Sequence, residues 1–431
     1  MTAPGRPGGY PIPAGRGRWR LTLHRRTFTV PGETWTQTII AELGAARGRQ
    51  LDQTWDAAAQ LTFTVDGHDP AAATVAELQH DVCAWRWDDR TGADVCVFRG
   101  VVDHSEDQIT EQSHTVTFVA HDYLAMIGRR FLLDSTQVIF TAVDADALAA
   151  TFVARANGAA LGFTPGSNLP VGVVIVDASG ATRARSGVLR DRTYTGGTNL
   201  GTALDDLAKV IGGFDYDIIP EAQAADTLTA VDPTGALHQL GPGLDAVRIF
   251  YPAQGVTRND LALVYGSTVS TVTRTVASAD YANYIRVFGN NASADPTAAQ
   301  LISTASNSDA SAAAVGYWPN ADNAADVVLA ATLDQQAAGD LALSGILMPT
   351  YTLGLRPGAY SWGYPRMGDS VPLIIASGRL NVNSAARVLG ISYAISDDGG
   401  EDVTLTVGRP LQTLAKLFTG SRKDVNALAR R

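Results

Sequence analysis

The sequence predicts a mainly β, multi-domain protein with smaller α+β parts. Three observations lead there. Apolar and polar residues alternate with period two over many short stretches, the mark of half-buried antiparallel strands. Turn residues separate those stretches at intervals that suit a barrel or sandwich. One module also occurs twice. Its first copy runs through Cys96-Val-Phe-Arg-Gly100-Val-Val-Asp103, a polar run, Thr115-Val-Thr-Phe-Val-Ala-His121 and an amphipathic segment from Asp122 to Arg130. Its second runs through Arg387-Val-Leu-Gly390-Ile-Ser-Tyr-Ala-Ile395, the acidic turn Asp397–Asp402 and Val403-Thr-Leu-Thr-Val-Gly408. The glycine, the acidic turn and the alternating strand sit at nearly the same offsets, which suggests pseudo-symmetry within one chain.

Residues 1–17 hold four prolines and five glycines and read as a flexible arm. Residues 18–134 read as a strand-rich domain. Trp19, Leu21 and Leu23 alternate with Arg20, Thr22 and His24; Leu61, Phe63 and Val65 alternate with Thr62 and Thr64; Val116, Phe118 and Ala120 alternate with Thr115, Thr117 and Val119. Cys83 and Cys96 lie on two strands joined by the turn Asp88–Gly92. Parity puts Cys83, Trp85, Trp87, Cys96 and Phe98 on one face, as buried thiols beside core aromatics rather than a disulfide framework.

Residues 135–245 read as a small α+β domain. A helix from Asp144 to Asn157 puts Leu148, Phe152 and Ala156 on one face and ends at Gly158. Val171–Val176 has the length of a buried strand. A second helix, from about Leu200 to Ile211, is capped by Thr198 or Asn199, faces Leu204, Leu207 and Ile211 inward and stops at Gly212. The strand from Phe214 to Ile219 follows.

Residues 246–410 return to strands, at Val247–Tyr251, Asp260–Tyr265 and Tyr284–Phe288. An alanine-rich insertion interrupts them at about 290–347. Its later part has helical periodicity through Ala330, Leu333, Ala337 and Leu341, with Gly339 costing ~1 kcal/mol relative to alanine. In the strand Met367–Ile375, Pro372 indicates an edge or a bulge. Residues 411–431 read as a short amphipathic helical tail outside any core.

The net charge of −10 argues against a general nucleic-acid binder, which needs a basic face. Basic residues nevertheless crowd the ends: Arg6, Arg16, Arg18, Arg20, Arg25 and Arg26, then Arg422, Lys423, Arg430 and Arg431. They read either as solvated tails or as docking elements for an acidic neighbour. The N-terminus lacks the apolar core of a signal peptide, and no apolar run approaches the ~18 residues of a membrane span.

The search for chemistry yields no catalytic, cofactor or metal residues. His104, His114 and His121 fall close together, and the first two could face each other across a hairpin. No Cys-x-x-Cys or His-Glu-x-x-His accompanies them, so they read as ordinary strand histidines. The turn Asp397–Asp402 lacks the ligand spacing of a calcium loop and reads as a hairpin turn. Gly241-Pro-Gly243-Leu-Asp-Ala246 matches a dinucleotide fingerprint in form. However, no apolar strand precedes it and no helix follows, so it reads as an interdomain turn. Asp205 and Asp206 read as helix-surface acids. A carboxylate pair from distant strands stays open, and Trp85 with Trp87 leaves a carbohydrate-binding module open as well. The residues by themselves point to a β-rich, non-enzymatic protein.

The order of these pieces resembles a known family. Phe98-Arg-Gly-Val-Val102 followed by Val116-Thr-Phe-Val-Ala-His-Asp122 is similar to the first tube-like domain of phage tail hub proteins, the tail-tip or baseplate hubs of long-tailed phages. Actinobacteriophage minor tail proteins belong among them. Asn199-Leu-Gly-Thr-Ala-Leu-Asp-Asp-Leu-Ala-Lys-Val-Ile-Gly-Gly-Phe-Asp-Tyr-Asp217 resembles their helix-then-strand second domain. Tyr281-Ala-Asn-Tyr-Ile-Arg-Val-Phe-Gly289, the alanine-rich helix, Gly368-Asp369 and the last hairpin resemble their third domain.

The resemblance implies a structural virion protein at the tail tip, made in the host bacterial cytoplasm. It implies a homotrimer whose two tube-like domains per chain give six-fold pseudo-symmetry, a ring that closes the distal tube and opens for DNA ejection. The implied partners are the distal tail ring protein, the tape measure protein and other minor tail proteins. DNA would pass through a neutral or acidic lumen without specific binding. No peptidase, glycosidase or receptor-binding extension is expected. The rivals are a distal tail ring protein, a contractile-tail or secretion spike hub and, from another class, a β-rich cell-wall hydrolase.

Overall fold

The computed structural model describes residues 18–28, 35–88, 93–158, 169–183, 185–209, 213–220, 229–240, 244–276, 278, 281–289, 300–307, 314–324, 330–360, 362–397 and 400–408. The arm 1–17, the tail 411–431, most of the Asp88–Gly92 turn, Ile211, Gly212 and the Gly241–Gly243 turn lie outside them. The described residues are mostly strand and fall into two compact units, Thr273–Tyr351 forming the smaller and the chain on either side of it the larger.

In the larger unit the chain begins with β1 (Trp19–Phe28), β2 (Trp35–Glu42), β3 (Arg47–Thr54), β4 (Gln60–Asp66), the short helix α1 (Pro70–Thr74), β5 (His80–Asp88), β6 (Ala93–Ile109), β7 (His114–His121) and α2 (Tyr123–Gly128). The predicted alternation of β4 and β7 is present: Leu61, Phe63, Val65, Val116, Phe118 and Ala120 are buried and their neighbours are not. β1 departs from prediction. Thr22 and His24 are buried together with Leu21 and Leu23. Thr22 Oγ1 satisfies the His24 Nε2 at 2.7 Å and accepts from Trp85 Nε1 at 2.7 Å, which makes their burial affordable.

An α+β body follows: β8 (Val138–Asp144), α3 (Ala145–Ala156), β9 (Val171–Val176), β10 (Leu189–Tyr194), α4 (Leu200–Lys209), β11 (Asp215–Ile219), β12 (Thr229–Val231), β13 (Leu237–Gln239) and β14 (Asp245–Phe250). Both predicted helices are present, and Asn199 Oδ1 accepts from Thr202 N at 2.9 Å at the start of α4. Leu148, Phe152, Leu204 and Leu207 share one core with Val173, Ile175, Val247 and Ile249. β14 corrects the sequence reading, which placed Val247–Tyr251 with the later strands. It pairs antiparallel with β11 and parallel with β9, in a five-stranded sheet of order β11-β14-β9-β12-β13. Alternation identifies a strand but not its neighbour.

The remaining strands of this sheet system are β15 (Leu263–Val264), β16 (Val269–Val276), β20 (Pro349–Leu355), β21 (Ser370–Ser377), β22 (Leu380–Ile395) and β23 (Glu401–Gly408). Between β16 and β20 the smaller unit contains β17 (Tyr284–Gly289), β18 (Ile302–Ser306), β19 (Pro319–Ala324) and the helix α5 (Ala330–Ser344). β17 pairs antiparallel with β18 and parallel with β19. Leu333 and Ala337 of α5 are fully buried against Ala282, Ile285 and Val287, the face that the alanine-rich periodicity predicted.

Both strand-rich stretches belong to one 13-stranded sheet, whose path runs β16-β20-β23-β22-β3-β4-β7-β6-β5-β1-β2, with β21 on β22 and β15 on β21. The repeated module is visible in that path. β3-β4-β7-β6-β5 and β16-β20-β23-β22-β21 have the same spatial order, first-second-fifth-fourth-third in chain order. In each, a long strand pairs with its upstream neighbour through its first half. β6 does so with β5 from Ala93 to Val101, and β22 with β21 from Leu380 to Arg387. Pro372 sits on the flank of β21 that faces β15: Ser370 and Ile374 bond there to Val256, Arg258 and Tyr265, and the proline falls between these contacts, where no N–H is required.

Candidate assembly interface

Two buried clusters hold the repeated strands to each other and to the α+β body. In the first, Arg86 of β5 donates through Nε to Glu401 Oε1 at 2.6 Å and through Nη2 to Oε2 at 3.1 Å. Trp19 Nε1 donates to the same carboxylate. The Arg86 guanidinium lies 4.9 Å from the centroid of the Trp362 ring, and Trp19, Trp362 and Tyr393 pack against one another at 6.1–6.5 Å. This arrangement corrects two readings. Glu401, read as part of the hairpin turn, is the first residue of β23 and is buried. Trp85 and Trp87 are not core residues: with the strand pleat, Arg86 points inward and the two indoles are half-buried beneath Arg20 and Arg18.

The second cluster uses an arginine from each long strand. Arg99 of β6, beside Gly100, pairs with Asp245 of β14 at 3.2 Å; Arg387 of β22, shortly before Gly390, pairs with Asp215 of β11 at 2.6 Å. Arg99, Asp245 and Asp215 are almost fully buried, and Arg387 is nearly so. Each copy of the module thus anchors the same five-stranded sheet through an Arg–Asp pair. Asp81 extends the network, accepting from the Tyr123 hydroxyl at 2.6 Å and facing Arg26 at 3.0 Å. Burial pushes the Asp81 carboxyl up despite these partners.

The arginines at the start of the chain are therefore partly consumed by the fold. Arg26 serves Asp81, Arg20 pairs with Asp94 at 2.9 Å, and Arg18 covers Trp87. Arg6 and Arg16 lie outside the described residues.

A cavity of about 220 Å³ opens beside these clusters, with Asp122, Trp362, Arg366, Asp369 and Tyr393 among its lining residues. Its carboxylates have structural duties. Asp122 caps α2, accepting from Leu124 N at 2.9 Å and from Ala59 N at 2.7 Å. Burial pushes its carboxyl up to about 7, against the pull of those N–H bonds. Asp369 accepts from Val256 N and Arg366 N at 3.0 Å, and burial raises it as well. Both acids are committed to main-chain donors rather than poised over the cavity as an acid–base pair.

The histidines separate. His104 stands opposite Val119 and not opposite His114, which faces Ile109. His114 bonds Asp107 at 2.7 Å, and His121 bonds Asp103 at 2.9 Å. Among the described residues no group of His, Cys, Asp and Glu is placed to hold a metal ion. Cys83 and Cys96 are buried thiols. Asp205, read as a surface acid, is half-buried and accepts from the Tyr216 hydroxyl. Among the described residues no helix is long and apolar enough to cross a membrane.

The sheet also has open edges. Beyond Val269, which bridges to Tyr265, β16 ends the path with β20 on one side. The second half of β6 pairs with β7, and among the described residues no strand lies on its other flank beyond Val102, whose carbonyl accepts from Leu78 N. Both stretches are largely exposed.

No family model matches the sequence. No curated protein matches it either. The fold is similar to that of solved tail proteins. A 43 kDa tail protein of prophage MuSo2 from Shewanella oneidensis superimposes with a TM-score of 0.53 at 15% identity, over 92% of this chain and 99% of that one. A tail protein from Neisseria meningitidis MC58 does so with a TM-score of 0.52 at 11% identity, over 92% and 98%. The mainly β architecture with α+β parts is thus a fold shared with these two tail proteins, in line with the resemblance in the sequence.

Proposed function

We propose that this chain is a structural hub of a long-tailed phage, a trimeric ring at the tail tip that closes the distal tube and opens for DNA ejection. The observation that carries this reading is the internal repeat. One chain holds two copies of a five-strand module in one sheet, each anchored to the α+β body by an Arg–Asp pair. Three such chains present six similar modules, a match for a hexameric ring of distal tail proteins above. The fold shared with solved tail proteins, one of them from a prophage, supports a place in the tail.

In this reading the partners are the distal tail ring, the tape measure protein and other minor tail proteins, and the chain performs no catalysis. The net charge of −10 suits a lumen along which DNA slides without adhering, so duplex DNA should not bind tightly at physiological salt. The reading is tested by counting copies in native tail tips, or in complexes formed with the upstream ring partner, by mass photometry. Three copies are expected. Two or six would sink it, and release of fragments from host cell wall by the pure protein would replace it with a hydrolase.

A further inference from the structure

We propose that β16 of one chain adds as an antiparallel strand to the open flank of β6 in a second copy of this chain. The repeat points to this pairing. β3 and β16 hold the same place in their modules, as the first strand, and so do β6 and β22, as the fourth. Within the chain β3 already lies on the flank of β22, antiparallel, from Gly390 opposite Thr54 to Ile395 opposite Arg49. The equivalent pairing, β16 on β6, is not made within the chain. Both of its halves are present, and among the described residues no strand covers either: β16 beyond Val269, and β6 from Ser105 to Ile109, where the Ser105 hydroxyl donates to Glu77.

The two edges also suit each other chemically. β16 reads Val-Ser-Thr-Val-Thr-Arg-Thr-Val, rich in β-branched residues, without proline, and carrying the exposed Arg274. Such an edge invites pairing unless a partner covers it. The β6 flank carries the exposed acids Glu106 and Asp107, the latter bonded to His114. Basic meets acidic, and main-chain donors and acceptors meet their complements. The contact is heterologous, head to tail, so it closes into a ring when the rotation per chain permits. It rests on the tail-hub reading only for the number of copies in that ring.

The test is sedimentation velocity on the full chain over a wide concentration range, with three variants. Thr110 N donates to Ser113 O across the hairpin, so even-numbered residues of this arm face β7 and the Ser105 N–H faces the open flank. Ser105→Pro removes that donor, together with the Ser105 Oγ–Glu77 bond, without touching the β7 ladder. Arg274→Glu sets a carboxylate against the acidic flank, and Glu106→Arg in the same chain restores the opposite sign. The unaltered chain is expected to self-associate, S105P to stay monomeric, R274E to associate about tenfold more weakly, and R274E/E106R to recover most of that loss. The proposal is overturned if the unaltered chain stays monomeric at several hundred micromolar, if S105P and R274E associate like it, or if R274E/E106R is as weak as R274E. Association blocked by these variants but closing at a copy number other than three would keep the strand pairing and remove the trimeric hub.

Discussion

Arg86 and Glu401 lie 315 positions apart in sequence and meet in a two-pronged ion pair, with side chains 1% and 0% exposed. The pair ties β5 of the first module to β23 of the second. Buried this deeply, its value lies less in net stability than in what its disruption would leave behind. Glu401→Leu or Arg86→Met alone should cost about 3–5 kcal/mol, because each strands an unpaired charge in the core. The double variant R86M/E401L should recover most of that loss. Denaturant unfolding of the single and double variants forms the cycle that checks it, and additive losses would contradict the account.

Gly100 and Gly390 lie on the two long strands and differ in the space around them. A Cβ on Gly100 would lie 2.5 Å from the His121 carbonyl oxygen, a backbone atom that cannot swing aside. A Cβ on Gly390 would meet the Thr406 Cβ at 3.3 Å, a contact that small shifts relieve. Gly100→Ala should therefore lower stability by about 1–3 kcal/mol. Gly390→Ala should change it by less than about 1 kcal/mol, since alanine also lowers the entropy of the unfolded chain. Comparison of denaturant midpoints decides, and equal effects would show that the 2.5 Å approach is not limiting.

These two cases show what the sequence makes legible. The glycines and the alternation of β4 and β7 are local patterns, so they could be read in order along the chain, whereas β6 and β22 run through their glycines as single long strands rather than as two strands each. The partner of each strand is not local. Val247–Tyr251 reads as a strand, yet nothing in it says that β9 and β11 flank it. Arg86 sits between two tryptophans, and its inward direction follows only from which face β23 covers. Glu401 looks like one more acid in a turn until Arg86 is placed beside it. The repeat was legible from its strands, but not in detail: Glu106 and Asp107 lie within β6 rather than in a turn, Gly100 falls inside the half of β6 that pairs with β5, and Gly390 falls beyond the matching half of β22. The equivalence of β3 with β16 needed the sheet order.

Asp122 should make stability fall as pH rises. Burial holds its folded carboxyl at about 7, above the ~3.9 of an unfolded aspartate. The folded chain thus binds more protons between those values, and the stability this group contributes is fully present below pH ~4 and lost as pH rises through about 7. Asp122→Asn removes the titration and should flatten that part of the profile. Asparagine keeps one acceptor for Leu124 N but sets an amide against Ala59 N, so the variant should also be less stable overall, by about 1–3 kcal/mol. Urea midpoints from pH 4.5 to 8 check both, and an unchanged slope in D122N would assign the pH dependence to other buried acids such as Asp81 or Asp369.

The last prediction concerns residues 1–17, which lie outside the described residues. With four prolines and five glycines the segment has little apolar surface to bury by itself, so any order it gains must come from a partner. Arg18, Arg20 and Arg26 are already engaged by the fold, which leaves Arg6 and Arg16 as the arm's cations. Arginine suits docking on an acidic neighbour because its planar fork binds a carboxylate through two parallel bonds. Deleting 1–17 should leave the melting temperature nearly unchanged, since the contacts of Trp19 with Glu401 and of Arg20 with Asp94 remain. On the proposed tail-hub reading, the same deletion should impair tail assembly and infectivity, and an intermediate loss is expected when Arg6 and Arg16 alone become glutamine. Fully infectious phage carrying the deletion would reduce the arm to a solvated terminus, whereas a large drop in melting temperature would show that it belongs to the fold of the single chain.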